Sequence, residues 1–250
     1  RFRHYLTRQV TYRSLTNKLR TAGHEIVARW LEAKGEVAQS NFSLLAHHWR
    51  GAGNQHRALE YMEGAGDSAV RNGSYQEALA LYQQAQKLGK ELGIGTRSSR
   101  AALWSKGLGT AYYFVGSMGE SRAHIENTVA ILDRSVPVSA AGVALGVLNN
   151  VRQHALARLR KQRYEWDGRV DKRVHDLLVD CYKMLGQLYF LEGKGSLLLI
   201  YTTLRGLNVA ENAGPSNSLA CVLINMSLLA RLAGLERASG WLVIQVSQDQ

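Results

Sequence analysis

Residues 58–92 read ALEYMEGAGDSAVRNGSYQEALALYQQAQKLGKEL, and the spacing of small and aromatic residues in this stretch decides the fold. A glycine within a helix lets a neighbouring helix approach closely, and a glycine just after a helix accepts a positive φ at little cost. The stretch therefore predicts a helix over 56–72, a turn at 73–74 and a second helix over 75–91. The packing residues of this hairpin are Gly66, Gly73, Tyr75, Ala78, Tyr82 and Ala85.

The same pattern recurs in looser form later in the chain. The positions equivalent to Gly66 are Gly109, Gly186 and Ser227, at intervals of 43, 77 and 41 residues. The middle interval is about two repeats long, and residues 138–170 within it match one long helix, so we predict an irregular insertion there. After the clearest unit at 56–92, further units are expected at about 101–133, 176–210 and 217–245, with packing residues Gly109, Tyr112, Gly116, Gly186, Tyr189, Gly193 and Gly234.

An amphipathic helix is predicted before these repeats, with Ser14 as its N-terminal cap. Its apolar residues recur at three- and four-residue spacing, which puts them on one stripe that we expect to face a core. The stripe consists of Leu15, Leu19, Ala22, Ile26 and Trp30.

The composition favours helix throughout. The chain has 250 residues, of which 46% are hydrophobic and 20% charged, and only two are proline. Cys181 and Cys221 lie in apolar runs and are expected to be reduced core thiols. No apolar run is long enough to span a membrane, so we expect a cytoplasmic protein. The chain starts without Met on residues typical of a domain interior, which suggests an excised fragment.

The net charge of +11 is unevenly distributed. Residues 1–20 contain six Lys or Arg and no acid, and residues 152–173 contain eight against three acids. Such segments can bind phosphate backbones or an anionic membrane, but they can equally be solvated helix faces or surfaces that meet an acidic partner domain.

The glycine and tyrosine spacing of residues 56–92 resembles the tetratricopeptide repeat. Residues 44–85, LLAHHWRGAGNQHRALEYMEGAGDSAVRNGSYQEALALYQQA, are similar to repeats that follow the nucleotide-binding module of large bacterial signalling ATPases, which are often joined to a class III adenylate or guanylate cyclase. Residues 2–32 resemble the helical end of the winged-helix segment of those proteins, and residues 197–242 a later repeat pair.

The resemblance implies an all-α fold. Residues 41–250 would form a right-handed superhelical solenoid of antiparallel helix pairs, and residues 1–40 a helical remnant of a winged-helix domain. It also implies a regulatory arm of a multidomain signalling protein, which binds a protein or peptide partner or the parent's own domains.

Motifs for catalysis or cofactor binding are missing from the sequence. It contains no phosphate loop, no HExxH, no CxxC and no GxSxG, and the glycines of residues 107–112 fall inside a predicted helix rather than after a strand. His47 and His48 are adjacent and diverge by about 100° on a helix, so they are not expected to share one metal ion. We therefore predict no enzyme activity, no cofactor and no metal.

The leading functional hypothesis is a protein-interaction scaffold, whose concave surface would carry Tyr61, Asn72, Trp104, Lys106, Tyr113 and Lys183. Ordinary packing or solvent exposure is the alternative for each of these residues. A second hypothesis is nucleic-acid binding through segments 1–20 and 152–173, although few aromatic residues accompany the basic ones as stacking would require. The end repeats lack a polar cap, so self-association is also possible. Binding to a membrane is not expected.

Overall fold

A computed structural model describes residues 5–34, 41–133, 135–159, 172–212 and 217–232. Within these ranges the chain forms eleven α-helices and no strand, so the prediction of an all-α protein is confirmed. The helices are α1 (Tyr5–Ser14), α2 (Asn17–Glu32), α3 (Phe42–Gly51), α4 (Gln55–Arg71), α5 (Tyr75–Glu91), α6 (Ser99–Val115), α7 (Met118–Leu132), α8 (Ala140–Leu159), α9 (Lys172–Leu191), α10 (Ser196–Asn212) and α11 (Asn217–Leu232).

The chain divides into two compact units, 1–116 with α1–α6 and 117–250 with α7–α11. In the first unit, consecutive helices from α2 to α6 pack on one another. The connections between α3 and α4 and between α4 and α5 are only three residues long, so these neighbours form antiparallel hairpins. Helices α4 and α5 follow the two helices predicted over 56–72 and 75–91 to within one residue.

Local capping explains where several of these helices begin. The side chains of Asn54 and Ser98 accept hydrogen bonds from backbone N–H groups in the first turns of α4 and α6. The start of α2 differs from the prediction, because Thr16 caps it whereas Ser14 is the last residue of α1.

The apolar stripe of α2 does not face the core, contrary to our expectation. Helix α2 packs on α3 through Ala28 and Leu31, which are buried. Leu19, Ile26 and Trp30 are instead exposed to solvent. The reason is that α2 meets α3 through the side that carries Ala28 and Leu31, so the stripe on the opposite side is left without a closely packed helix among the described residues.

In the second unit the helices do not pack in chain order. Helix α7 packs on α9, α9 on α10, and α10 on α11, whereas α8 packs on α10. Gly146 of α8 lies so close to Tyr201 of α10 that a Cβ there would be 2.6 Å from the ring. Of the predicted insertion at 138–170, the structure describes α8 up to Leu159, and residues 160–171 lie outside the described ranges.

Candidate interaction surfaces

The aromatic ring of Tyr82 is held between two glycines of neighbouring helices. A Cβ on Gly66 of α4 would be 2.9 Å from this ring, and a Cβ on Gly107 of α6 would be 2.3 Å from it. The Tyr82 hydroxyl donates to the Asp67 carboxylate. Burial, together with that hydrogen bond, raises the pKa of Tyr82. The α6 glycine against this ring is Gly107, whereas Gly109, the predicted equivalent of Gly66 in the next repeat, is buried on the same helix.

The remaining residues of the repeat pattern lie at helix contacts or helix ends. Ala78 and Ala85 are fully buried. The Tyr75 ring stacks on Phe114 at 4.5 Å, and the Tyr112 hydroxyl accepts a 3.4 Å hydrogen bond from Gln83. A positive φ angle occurs directly after α6 at Gly116, and two residues after the last helical residue at Gly73 for α4 and at Gly193 for α9.

Three residues of the later predicted repeats, Gly186, Tyr189 and Gly234, differ in how closely they contact neighbouring helices or lie outside the described residues. Gly186 is buried, and a Cβ there would meet Leu199 at an ordinary 3.5 Å, so its approach to α10 is less close than that of Gly107 to Tyr82. The buried Tyr189 donates a 2.9 Å hydrogen bond to Glu126. Gly234 lies outside the described residues.

Two glutamates of the first unit each hold together polar groups from neighbouring helices. Glu32 of α2 accepts hydrogen bonds from the Trp49 indole, from Arg57 and from Tyr61 at 2.7–3.2 Å. Burial and the Glu32 carboxylate raise the pKa of Tyr61 to about 12. Glu63 of α4 repeats this arrangement one hairpin later, since it accepts from Arg100 and from the Trp104 indole.

In the second unit, too, a carboxylate accepts hydrogen bonds from side chains of neighbouring helices. Asp133 accepts a 2.7 Å hydrogen bond from the Tyr182 hydroxyl and two from Arg205, at 2.6 and 2.8 Å. Burial, with the nearby Asp133, raises the pKa of Tyr182. The side chains of Asp133 and Arg205 are only 13% and 12% exposed, which makes this ion pair the best shielded one in the described residues. Groups engaged in this way hold the helices in register and are not available to a partner.

Of the residues predicted to bind a partner on the first unit, two are occupied by internal contacts. Trp104 is only 3% exposed, and its indole is bonded to Glu63, so its assignment to the surface was wrong. Tyr61 is partly buried and bound to Glu32. The Tyr113 ring lies edge-on to Phe114, and Lys106 is partly buried on α6. Asn72 is exposed at the end of α4.

The sixth predicted residue, Lys183, lines a cavity of about 280 Å³ among α9, α10 and α11. The walls are mainly apolar or glycine backbone, and Lys183 is the charged residue among the described lining side chains. It also forms a 3.3 Å ion pair with Asp180. The sequence did not predict that the rest of the lining would form a cavity, although it marked Gly186 as a packing residue, because these residues come together only when three helices pack. They are Tyr182, Gly186, Gln187, Phe190, Leu199, Thr202, Thr203, Gly206, Val222 and Asn225.

A cluster of three histidines lies between α2 and α3. The His24 and His48 rings share a 3.0 Å Nδ1–Nδ1 hydrogen bond, and the His47 ring is 5.4 Å from His24. Tyr12 of α1 is hydrogen-bonded to Nε2 of His24, and Arg20 stacks over the Tyr12 ring. In the described part of the chain, no carboxylate is hydrogen-bonded to these three imidazoles. Burial, followed by the neighbouring histidines, lowers the pKa of both His24 and His48.

The described residues also bear on metal binding, membrane spanning, the two cysteines and the basic segment 152–173. Within those ranges, no group of three or more His, Cys, Asp or Glu side chains could hold a metal ion, and no helix is long and apolar enough to cross a membrane. Cys181 is buried as predicted, but Cys221 is exposed. Most of the basic segment 152–173 lies outside the described residues.

Comparisons with known proteins give a likeness of fold. No family model matches the chain, and no curated protein matches it. Among solved structures, the chain is similar to the crystal structure of BtubC (BKLC) from P. vanneervenii, with 13% sequence identity and a TM-score of 0.55. The match covers 94% of this chain and 91% of that one. At such low identity it shows a common all-helical fold and nothing about activity.

Proposed function

We propose that this chain is a non-catalytic protein-interaction scaffold that binds a peptide segment of a partner in the cavity among α9, α10 and α11. We further propose that its helix hairpins are tetratricopeptide-like and that it serves in the cytoplasm as a regulatory arm of a multidomain signalling ATPase or nucleotide cyclase. The shared fold with BtubC over most of both chains supports an array of helical hairpins. The cavity is the observation that carries the binding function.

The size and lining of the cavity favour side chains of a peptide over a cofactor. Its volume of about 280 Å³ is at the lower limit of small-molecule pockets, which measure about 300–1,000 Å³. One or two apolar side chains fit such a space. Phe190, 67% exposed, would cover an inserted side chain from the α9 side.

Polar groups beside the cavity suit a peptide backbone. Gln187 and Asn225 line it from α9 and α11 and are exposed, and each amide can both donate and accept a hydrogen bond. Apolar anchoring by the walls and backbone hydrogen bonds from two amides are the usual components of peptide recognition.

The test is selection from a random-peptide display library on the 250-residue chain, followed by affinity measurement on variants. Thr203→Phe fills the cavity and Phe190→Ser removes its aromatic wall. Each variant should bind the selected peptides about tenfold or more less tightly than the original chain, as expected for the loss of a central contact. Leu145→Ser on α8 is the matched control, because Leu145 is 68% exposed but does not line the cavity. Circular dichroism should show that all three variants stay folded.

Four outcomes would contradict the proposal. Failure to select any peptide, or peptides that bind both cavity variants as well as the original chain, would remove the cavity as the site. Turnover of ATP or GTP by the pure chain would overturn the non-catalytic assignment. Salt-sensitive binding to duplex DNA without any peptide binding would favour the nucleic-acid alternative.

A further inference from the structure

The outward face of α2 carries large apolar side chains that no described residue covers. Leu19, Ile26 and Trp30 are 57%, 68% and 55% exposed, and they follow one another along one side of the helix. The opposite side is buried on α3 through Ala28 and Leu31. Exposed apolar side chains that adjoin one another mark an interaction site more often than scattered ones do.

The position of α2 in the array favours a helix as the covering element. Helix α3 packs between α2 and α4, and α4 packs between α3 and α5. Helix α2 has α3 on one side, and the described residues place no closely packed helix against its other side. Leu19 to Trp30 spans about 16 Å at 1.5 Å per residue, which is three turns of contact for an added helix.

Gly23 supports close contact at the centre of this face. It lies between Leu19 and Ile26 on the exposed side, and a Cβ there would meet nothing within 4 Å. A glycine in a helix interior costs about 0.5–1 kcal/mol relative to alanine. The described part of the first unit gives no packing reason for that cost, whereas a helix lying on α2 would use the space.

The polar residues that border the face are basic. At 100° per residue, Lys18 and Arg29 lie along one edge and Arg20 along the other, and Lys34 follows just after the end of α2. The Lys34 ammonium lies 3.8 Å from the centre of the Trp30 ring. Glu25 pairs with Arg29, but Lys18, Arg20 and Lys34 have no carboxylate partner among the described residues. The border therefore attracts negative charge.

We propose that the outward face of α2, defined by Leu19, Gly23, Ile26 and Trp30, binds an acidic amphipathic helix of a partner protein. Its apolar side would cover these four residues, and its carboxylates would pair with the basic borders. A second copy of the same face would bring like charges together. A membrane surface is less favoured, because the apolar sector is narrow. This surface belongs to the first unit and does not depend on the cavity of the second.

The test uses three fluorescent synthetic peptides and the full 250-residue chain. All three peptides have the same composition of Leu and Ala at their apolar positions. The first is helical with Glu on its polar side, the second has Lys in place of Glu, and the third has the first peptide's residues in scrambled order. Fluorescence anisotropy should show that the chain binds the Glu peptide at least about tenfold more tightly than either of the others.

Variants locate the binding on α2. Ile26→Ser should weaken binding of the Glu peptide about tenfold or more, while Leu103→Ser, a change at a comparably exposed position on α6, should leave it unchanged. Lys18→Glu with Lys34→Glu should weaken binding of the Glu peptide and improve binding of the Lys peptide. All of these positions are at the surface, so the fold should tolerate the changes.

Other results would overturn the proposal. Equal binding of the Glu and scrambled peptides, no binding of the Glu peptide, or an Ile26→Ser variant that binds normally would each do so. Binding to vesicles of phosphatidylserine and phosphatidylcholine that is lost in Ile26→Ser, without binding of the Glu peptide, would assign the face to a membrane instead.

Discussion

Replacement of Gly107 by alanine tests the central packing contact of the first unit. The new Cβ would lie 2.3 and 2.4 Å from Cζ and Cε2 of Tyr82, about 1 Å closer than an ordinary van der Waals contact allows. The Tyr82 ring cannot move away easily, because Gly66 of α4 also lies close to it and its hydroxyl is bonded to Asp67. Helices α5 and α6 would therefore have to separate.

The expected cost follows from two opposing effects. Overpacking of a core by one methyl group costs about 1–3 kcal/mol, and the rigidity of this site places Gly107→Ala near the upper end. Alanine recovers about 1 kcal/mol of helix propensity relative to glycine. The net loss of unfolding free energy is therefore about 2 kcal/mol. For a unit of this size, the midpoint of thermal unfolding should fall by about 8 °C.

The assay is thermal unfolding followed by circular dichroism, with hydrogen exchange of residues 99–115 to assign the loss to α6. Gly23→Ala is the control, since it changes an exposed helical glycine whose Cβ would meet nothing, and it should raise stability by about 0.5–1 kcal/mol. In a Tyr82→Leu background, Gly107→Ala should cost clearly less, because the ring it strikes has been removed. A Gly107→Ala variant as stable as Gly23→Ala would refute the reasoning.

Two further predictions concern charge. The pKa values of His24 and His48 are lowered in the folded chain. Below about pH 6.5, the ordinary pKa of histidine in an unfolded chain, the unfolded protein therefore binds more protons at these two residues than the folded protein does. The first unit should therefore keep its full stability above that pH and lose stability as the pH falls from about 7 to about 5. Thermal unfolding measured across this pH range should show the loss of stability, and the loss should be smaller in His48→Gln. An unfolding midpoint that does not change with pH would contradict the prediction. Asp133→Ala should cost about 3 kcal/mol in urea unfolding because it leaves Arg205 shielded and unpaired, whereas Asp180→Ala at the exposed pair should change stability by less than about 0.5 kcal/mol. Equal costs for the two variants would show that shielding does not set the strength of these pairs.

Periodicity was sufficient to predict a helical chain and its clearest hairpin, because it depends on neighbours in the chain, but it did not predict α1 or the start of α2. The hairpin of α4 and α5 lies within one residue of its predicted limits, and Gly73 has the positive φ that ends a helix. These features follow from propensity and backbone sterics, which each stretch expresses locally.

Residue roles between helices were predicted less well, for a physical reason. Trp104 was predicted to lie on the concave surface, yet it is buried in the hydrophobic core of the first unit, where its indole donates to Glu63, 41 positions earlier in the chain. Ile26 fits the spacing of a core residue, yet it is exposed because α3 contacts the other side of α2. A helical stripe indicates which side chains share a face, but not which face the neighbouring helix will meet.

The sequence by itself determined that this protein is helical, where its clearest hairpin begins and ends, and that glycine and tyrosine pack its helices together. Only the tertiary structure decided that Gly107 meets Tyr82, that His24 joins two histidines of α3, and that Lys183 lines a cavity. The reason is that helix formation is governed by contacts three and four residues apart, whereas cavities and exposed faces depend on the rotation of each helix against neighbours that are distant in the chain.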